Sequence, residues 1–370
     1  MIKVLFCSPY SDSPSAIKGG INTWGRYIMS YYKQHENKQV DLIPVSFDRS
    51  VFATNTSLIK RILNGLHDQI RPIRQAIQLM DSERVDVAHI CTSAGLGVIR
   101  DYLLVRAARR RGIRTVIHLH FGRIPTLAQQ RNLEWSLLSK VLRMSDIPVV
   151  MNKPSEKTLV KEGFTNVAYL PNPLGMSALN AIKQVDGKYS RVPRRLLYCG
   201  HVLKTKGVME LVEGCSQIPN IELRLVGKCI PEMKEELLSL AKRKVDDISW
   251  LKFVGEVSHE EVIREFNQAD LFVFPSYSEG FPNVILEAMA CGCPIVSSDV
   301  GAIPEMLDIN GDACGICFKP HSANEVKRAI DCLLFDESQK KHFSQKAKIK
   351  VNEMYSIPKV WQQLVEIWKM

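Results

Sequence analysis

The feature that most constrains the fold of this chain is residues 271–294, where an apolar run leads into a loop and then into a helical pattern. Leu271–Phe274 is short, bulky and apolar, which is typical of a buried strand. The loop that follows contains proline and glycine. A helix is predicted to begin near Asn283 and to stop at Gly292. The stretch therefore predicts a strand, a loop and a helix, as in an α/β fold.

Two carboxylates are placed by this strand-loop-helix unit. Glu279 falls in the loop, and Glu287 falls about one turn inside the helix. The backbone N–H groups of Asn283 and Val284 stand at the start of the helix, where an anion is favoured. These amides could bind a phosphate, and the two carboxylates could accept hydrogen bonds from sugar hydroxyls. Together they indicate a site for a nucleotide-sugar.

Residues 278–296, SEGFPNVILEAMACGCPIV, resemble the signature of the retaining glycosyltransferases of family 4, which have the two-domain GT-B fold. In that family the first glutamate contacts the transferred sugar and the second holds the ribose. The resemblance gives these roles to Glu279 and Glu287. It also implies donor contacts from the residues between them, which are Gly280, Phe281, Pro282, Asn283 and Val284.

A second motif lies at residues 198–208, YCGHVLKTKGV. The family shows Gly-Arg, four residues, then Lys-Gly, and its Arg and Lys clamp the donor diphosphate. The resemblance gives Lys206 the diphosphate role, whereas His201 stands in place of the arginine. A neutral histidine lacks the fixed charge and the two-pronged donor of a guanidinium. Either protonated His201 binds the diphosphate, or another base such as Lys204 substitutes.

The first half of the chain contributes two further loops. Gly19 and Gly20 lie between the first strand and a helix, where glycine lets the backbone approach a ligand. Their spacing does not match the G-x-G-x-x-G of dinucleotide enzymes, but the family has a Gly-Gly loop where donor phosphate and acceptor meet. In VIHLHFGRIP, His118 and His120 share one face of a strand. Of the two, His120 aligns better with a family histidine that touches the transferred sugar, and Arg123 could reach an acceptor phosphate.

Apolar runs alternate with helical patterns in both halves of the 370 residues, which predicts α/β structure in two domains. The resemblance implies GT-B: two Rossmann-like parallel-sheet domains with an interdomain cleft and a C-terminal crossover helix. We place the acceptor domain at 1–172, with the helix 355–370 packing back on it, a linker at 173–193, and the donor domain at 194–354. The predicted strands are 3–7, 41–45, 85–91, 115–120, 148–151, 196–200, 222–226, 251–254, 271–274 and 295–297.

The positive charge of the chain is unevenly distributed. The net charge is +10, with +11 in residues 1–175 and −1 in residues 176–370. The basic half could attract an anionic membrane or a lipid-diphosphate acceptor. No nucleic-acid recognition motif is present, so no nucleic acid is expected. Basic residues at 58–80 and 106–114 could rest on a membrane, although the apolar face of 58–80 could equally pack on a sheet.

The cellular location is predicted from two observations: the sequence has no pattern of a transmembrane segment or signal peptide, and its cysteines are scattered. No run of eighteen apolar residues exists, and the N-terminus reads as a first strand rather than as a signal peptide. Ten scattered cysteines fit reduced thiols, and the CxxC at 314–317 has no second pair to complete a zinc site. We expect a cytoplasmic protein, either free or peripheral on the inner face of the plasma membrane.

These patterns together predict a retaining glycosyltransferase of envelope polysaccharide assembly, such as lipopolysaccharide or capsule. A UDP-sugar is the favoured donor and GDP-mannose the alternative; the acceptor is a saccharide or a lipid-diphosphate-linked saccharide. No metal or other cofactor is expected, because GT-B transferases generally need none. The alternative function is a non-catalytic nucleotide-sugar-binding subunit that supports a partner transferase.

Overall fold

The chain forms two compact units in the computed structural model. The first comprises Met1–Pro173 together with Ile357–Met370, and the second comprises Leu174–Ser356. The structure describes residues 1–10, 19–35, 39–47, 58–185, 187–308 and 311–370, with the side chains of 58–69 outside the description. Lys60 and Arg61 of the predicted basic helix are therefore outside it, and so are residues 16–18 before Gly19.

The first unit contains one parallel sheet covered by helices. Its strands are β1 (Ile2–Ser8), β2 (Val40–Ser46), β3 (Val87–Thr92), β4 (Arg114–Leu119), β5 (Ile147–Val150) and β6 (Ala168–Tyr169). Its helices are α1 (Gly20–Gln34), α2 (Leu58–Ser82), α3 (Gly97–Arg109), α4 (Ile124–Gln130), α5 (Leu133–Met144), α6 (Lys153–Lys161) and, at the end of the chain, α15 (Ile357–Lys369). The strand order is β2-β1-β3-β4-β5-β6. All six residues of β3 are buried, because helices cover both faces of a parallel sheet.

Helix α15 completes the core of the first unit although it follows the second unit in sequence. It packs on α1 and β1, and Trp368 is fully buried. The Arg114 guanidinium donates hydrogen bonds to the last carbonyls of the helix, those of Trp368 and Lys369. A cation at the end of a helix is favoured by the helix dipole.

The second unit contains a second parallel sheet. Its strands are β7 (Arg195–Cys199), β8 (Glu222–Val226), β9 (Leu251–Gly255), β10 (Leu271–Phe274), β11 (Ile295–Ser298) and β12 (Ile316–Phe318). Its helices are α7 (Met176–Val185), the 3₁₀ helix η1 (Lys204–Lys206), α8 (Val208–Cys215), α9 (Pro231–Lys244), α10 (His259–Gln268), α11 (Asn283–Ala290), α12 (Ile303–Met306), α13 (Ala323–Leu334) and α14 (Glu337–Met354). The order β12-β11-β10-β7-β8-β9 places its first and fourth strands side by side. Ligands of such sheets bind at the carboxyl ends of these two strands, where the winding reverses.

The predicted strands are all present, with ends that differ by at most two residues, and β6 and β12 were not predicted. One difference concerns the stretch 173–193, which was predicted as an irregular linker. It contains helix α7, whose Ala178 and Ala181 are buried and which packs on α10. In the predicted basic helix, Ile73 and Ile77 pack against the core of the first unit, which favours packing for that part of its apolar face.

No helix in the described ranges of the chain combines the length and the apolar composition that crossing a bilayer requires.

Candidate functional site

Two loops of the second unit meet at the carboxyl ends of β7 and β10. The N–H of Tyr277 donates to the carbonyl of Thr205 at 3.1 Å, which joins the loop after β10 to the loop after β7. Gly207 has a φ of +70°, and a Cβ at this position would lie 2.1 Å from the carbonyl oxygen of Pro275. Only glycine permits this contact between the two backbones.

Lys206 and Glu279 lie on these two loops and form an ion pair. The ammonium donates to Glu279 Oε1 at 2.6 Å, and the two side chains are 29% and 13% exposed. A third loop, after β11, fixes the backbone of Glu279: a Cβ at Gly301 would lie 2.1 Å from the Glu279 carbonyl oxygen, and the Ala302 N–H donates to the Gly280 carbonyl at 3.1 Å. Lys206 and Glu279, which come from two separate motifs, therefore lie together at the switch point of the sheet.

Of the residues that follow Glu279, two are buried in the protein and the next two are partly accessible to solvent. Phe281 and Pro282 are buried, and the Phe281 ring packs edge-on against Tyr355 with centroids 5.4 Å apart. Asn283 and Val284 are half-buried and begin α11, as predicted. Phe281 and Pro282 can thus reach a ligand only through backbone atoms, whereas the start of α11 is suited to an anion.

Glu287 accepts a hydrogen bond from a residue that the sequence analysis did not single out for the site. His259 Nε2 lies 2.9 Å from Glu287 Oε1, and the Glu287 side chain is 14% exposed. This hydrogen bond raises the pKa of His259, and burial opposes the rise. His259 is the first residue of α10 and lies inside the Ser258–Glu261 capping box. No local pattern links it to a carboxylate 28 residues away.

His201 and Lys204, the two substitutes considered for the missing arginine, are both exposed in the loop after β7. The carbonyl of His201 accepts a hydrogen bond from the Tyr198 hydroxyl at 2.7 Å, which fixes its backbone. Lys204 pairs with Glu236 at 2.6 Å. Within the described residues, neither side chain is hydrogen-bonded to Lys206 or Glu279.

A second residue that the sequence analysis missed is Tyr277, in the same loop as Glu279. Its hydroxyl donates to Glu210 at 2.7 Å, and its ring lies against that of His321 with centroids 3.8 Å apart. Both contacts reach distant parts of the chain, so the tyrosine fixes the loop from which Glu279 projects.

In the first unit, His118 and His120 lie together at the end of β4. Their ring centroids are 3.9 Å apart, and both rings contact Trp24. All four ring nitrogens are buried without a hydrogen-bond partner among the described residues. Burial lowers the pKa of His120 to about 3 and that of His118 well below its usual value, so both imidazoles are neutral.

The neighbouring strand β3 brings two further candidate metal ligands, His89 and Cys91, close to His118. Possible ligand atoms of His89, Cys91 and His118 lie within 4.8 Å of one another. However, the Trp368 indole N–H donates to His89 Nδ1 at 3.0 Å. An accepting Nδ1 means that the proton of neutral His89 resides on Nε2, which then has no lone pair for a metal. The group is therefore not arranged to hold an ion.

Arg123, predicted to reach an acceptor phosphate, makes an ion pair within the unit. Its guanidinium donates to both carboxylate oxygens of Glu134, at 2.5 and 2.7 Å, and holds the pKa of Glu134 below its usual value. Gly19 and Gly20 are exposed, and a Cβ at either position would meet no atom of the described residues within 4 Å. Packing against the described part of the chain therefore does not require glycine at these two positions.

Comparisons with known proteins bear on the second unit and on the fold. Residues 182–350 match the family model of the glycosyl transferases group 1. The serotype-specific mannosyltransferase WbdA of Escherichia coli is 31% identical over 162 residues, which cover 42% of this chain and 19% of WbdA. The capsular polysaccharide biosynthesis glycosyltransferase CapM of Staphylococcus aureus is 25% identical over 362 residues, 91% of this chain and 86% of CapM. The match thus spans about a fifth of WbdA and most of CapM.

Among solved structures, Anabaena HepE in complex with UDP has a TM-score of 0.72 at 17% identity, with both chains fully covered. This likeness shows the fold, which is GT-B: two parallel six-stranded sheets, each surrounded by helices. Residues 182–350, which carry Lys206, Glu279 and Glu287, are thus the part of this chain that is similar to the glycosyl transferases group 1 family.

Proposed function

We propose that this protein is a retaining glycosyltransferase that moves a sugar from a nucleotide-diphosphate donor to a saccharide or lipid-linked saccharide acceptor in envelope polysaccharide biosynthesis. The observation that carries the proposal is the Lys206–Glu279 pair, 2.6 Å apart at the switch point of the second sheet. Glu287 on the adjoining helix supplies an acceptor for ribose hydroxyls. The names of WbdA and CapM, a mannosyltransferase and a capsular polysaccharide glycosyltransferase, support the same class of reaction.

The proposed mechanism is electrostatic. The Lys206 ammonium and the N-terminus of α11 stabilise the negative charge that grows on the diphosphate as the bond to the sugar opens. Glu279 contacts the transferred sugar and keeps Lys206 oriented until the diphosphate arrives. The acceptor hydroxyl attacks from the face that the diphosphate leaves, which retains the configuration. Because a lysine supplies the positive charge, we propose that transfer needs no metal and proceeds in a chelator.

For the donor we propose a UDP-sugar. The support is that Anabaena HepE, which shares the fold, is described in complex with UDP and with UDP-glucose. The mannosyltransferase name of WbdA favours GDP-mannose as the second candidate. Thermal-shift measurements with UDP, GDP, ADP and their sugar conjugates separate the two, because only the correct nucleotide raises the melting temperature at low concentration.

The proposed site is tested by Lys206→Ala and Glu279→Ala, with sugar transfer and donor hydrolysis as the measurements. Loss of one preorganised charge should lower turnover about 100-fold or more. The matched control is another Lys–Glu pair of the same unit, Lys244 and Glu213, 2.7 Å apart between α9 and α8. Alanine at either control position should leave turnover unchanged. Normal turnover in both site variants would refute the site.

The alternative is a non-catalytic subunit that binds a nucleotide-sugar for a partner transferase. Such a subunit would give the same thermal shift but would neither transfer the sugar nor hydrolyse the donor over long incubation. The donor-hydrolysis measurement therefore decides between the two functions.

A further inference from the structure

The first unit exposes large apolar side chains where α3 and α5 begin. Leu96 and Leu133 are 86% and 89% exposed. The Gly95 N–H donates to Glu134 Oε1 at 2.8 Å, so the residues next to the two leucines in sequence are bonded to each other. The two leucines therefore belong to one surface rather than to separate loops.

This apolar surface continues along α3. Ile99 and Leu103 are 53% and 41% exposed, and Leu96 already has helical backbone angles. Spacings of three and four residues place Leu96, Ile99 and Leu103 on one stripe of the helix. Arg106 and Arg110, both exposed, extend the same stripe at the same spacing. We call Leu96, Ile99, Leu103, Leu133, Arg106 and Arg110 the α3–α5 surface.

Packing within the unit does not explain the apolar members of the α3–α5 surface. The core side of α3 is formed by other residues, among them Val98, Leu104 and Ala108, all of which are buried. The helix is therefore apolar on two opposite sides, one covered by the protein and one by solvent. A single exposed apolar residue is ordinary, whereas a contiguous group of four indicates a surface that binds something.

The charges around this surface are positive and uncompensated. Neither Arg106 nor Arg110 forms an ion pair with any residue that the structure describes. Of the carboxylates carried by α3 and by the start of α5, Asp101 is buried in a pair with Arg100, and Glu134 is held by Arg123. An anionic partner would thus meet two guanidiniums without displacing a carboxylate.

We propose that the α3–α5 surface docks the protein on an anionic membrane. The leucines and the isoleucine enter the interfacial layer, and Arg106 and Arg110 meet lipid phosphates. A second copy of the chain fits this surface less well, because two identical surfaces face to face would bring four unpaired guanidiniums together. The proposal does not depend on the donor site, so either can fail without the other.

The experiment is flotation of the full chain with vesicles of phosphatidylcholine alone or mixed with phosphatidylglycerol. Arg106→Gln with Arg110→Gln should lower partition to the mixed vesicles about 30-fold, since each basic residue contributes about 1 kcal/mol at an anionic surface. Leu96→Ser with Leu133→Ser should lower it about tenfold or more by removing two inserting side chains. Both leucines are exposed, so the fold should survive, and tryptophan emission, to which the first unit contributes four of the five tryptophans, serves as the folding check.

Two control variants on α6 of the same unit match the test variants. Lys157→Gln with Lys161→Gln removes two exposed charges, and Val160→Ser removes an exposed apolar side chain. Neither should change partition by more than about twofold. The proposal is overturned if the wild-type chain does not float, or if the controls lose as much as the test variants. It is also overturned if light scattering shows a dimer that Leu96→Ser with Leu133→Ser dissociates.

Discussion

At the scale of single residues, Gly207 limits the site most tightly, because its missing Cβ lets two loops touch. Gly207→Ala should cost about 1–2 kcal/mol for φ of +70° and should also push the loop after β10 away, with loss of donor affinity. Gly187→Ala is the matched control, because Gly187 has a φ of +71° and a Cβ there would meet no described atom within 4 Å. Urea unfolding and calorimetric donor titration measure the two effects. Equal donor affinity in both variants would contradict the role given to this contact.

His259 provides a second residue-level prediction. Its bond to Glu287 Oε1 leaves Oε2 for a ribose hydroxyl, so His259→Ala should weaken binding of a nucleotide-sugar about fivefold. Because Glu287 raises the His259 pKa, and Glu260 adds to the effect, the charge-assisted bond is complete at low pH and is lost as pH rises through that pKa. Donor affinity should therefore fall with rising pH.

Titration calorimetry of three forms of the protein tests this prediction. A nucleotide-sugar suits the titration because its diester phosphates do not titrate near neutrality. His259→Gln, which keeps an N–H donor without the charge, should restore affinity and abolish the pH dependence. If Glu287→Ala weakens binding while His259→Ala does not, the result supports Glu287 as the ribose acceptor and contradicts the role proposed for His259.

The site residues that the sequence predicted are those within contiguous motifs. Lys206 directly precedes Gly207, where a tight contact between two backbones requires glycine. Glu279 and Glu287 belong to one strand-loop-helix unit. His259, Tyr277 and Trp368 could not be identified in this way, because their partners Glu287, Glu210 and His89 lie 28, 67 and 279 residues away. Tertiary packing creates these contacts, so no pattern of neighbouring residues in a single sequence predicts them.

At the scale of elements, the same distinction separates the predicted strands from the missed ones. Buried parallel strands such as β3 are apolar throughout, so a run of residues reveals them. Strands β6 and β12 contain only two and three residues, which is too short for a pattern. Helix α7 was missed because it buries only Ala178 and Ala181, which leave no wide apolar stripe.

Strands β3 and β4 lead to a pH-dependent element made of His89 on β3, His118 on β4 and His120 directly after β4, whose imidazole nitrogens are buried. Burial lowers the pKa of His89 and of His120 to about 3 and also lowers that of His118. In the unfolded chain these groups take up protons below about pH 6.5, whereas the folded chain does not. Stability should therefore fall as pH drops below about 6.5, by about 1.4 kcal/mol per pH unit for each imidazole.

Urea unfolding at several pH values measures this slope. Tryptophan emission reports mainly on the first unit, since Trp24, Trp135, Trp361 and Trp368 belong to it and Trp250 alone belongs to the second. His120→Gln should remove about a third of the slope. His342→Gln, at an exposed position of the second unit, should leave it unchanged. If the free energy of unfolding is constant from pH 7 to pH 5, the pKa values of these imidazoles are not lowered in the folded chain.

At the scale of the whole molecule, the second unit is inserted between two parts of the first. Helix α15 supplies Trp361, Leu364 and Trp368 to the first unit, all buried, and the Trp368 N–H satisfies His89 Nδ1. Loss of each such side chain costs about 2–5 kcal/mol, so the loss of all three is comparable with the roughly 5–15 kcal/mol that holds a typical domain folded. The first unit thus depends on residues that follow the second in sequence.

A chain that ends at Ser356 tests this dependence. Calorimetry should show the melting transition of the first unit abolished, whereas the second unit should still melt and bind the donor, because Lys206, Glu279 and Glu287 lie within it. A chain shortened only by Met370, which is 68% exposed, is the control and should keep both transitions. If the first transition persists after removal of α15, its tryptophans do not carry the stability assigned to them. If donor binding disappears with it, the two units fold as one cooperative unit.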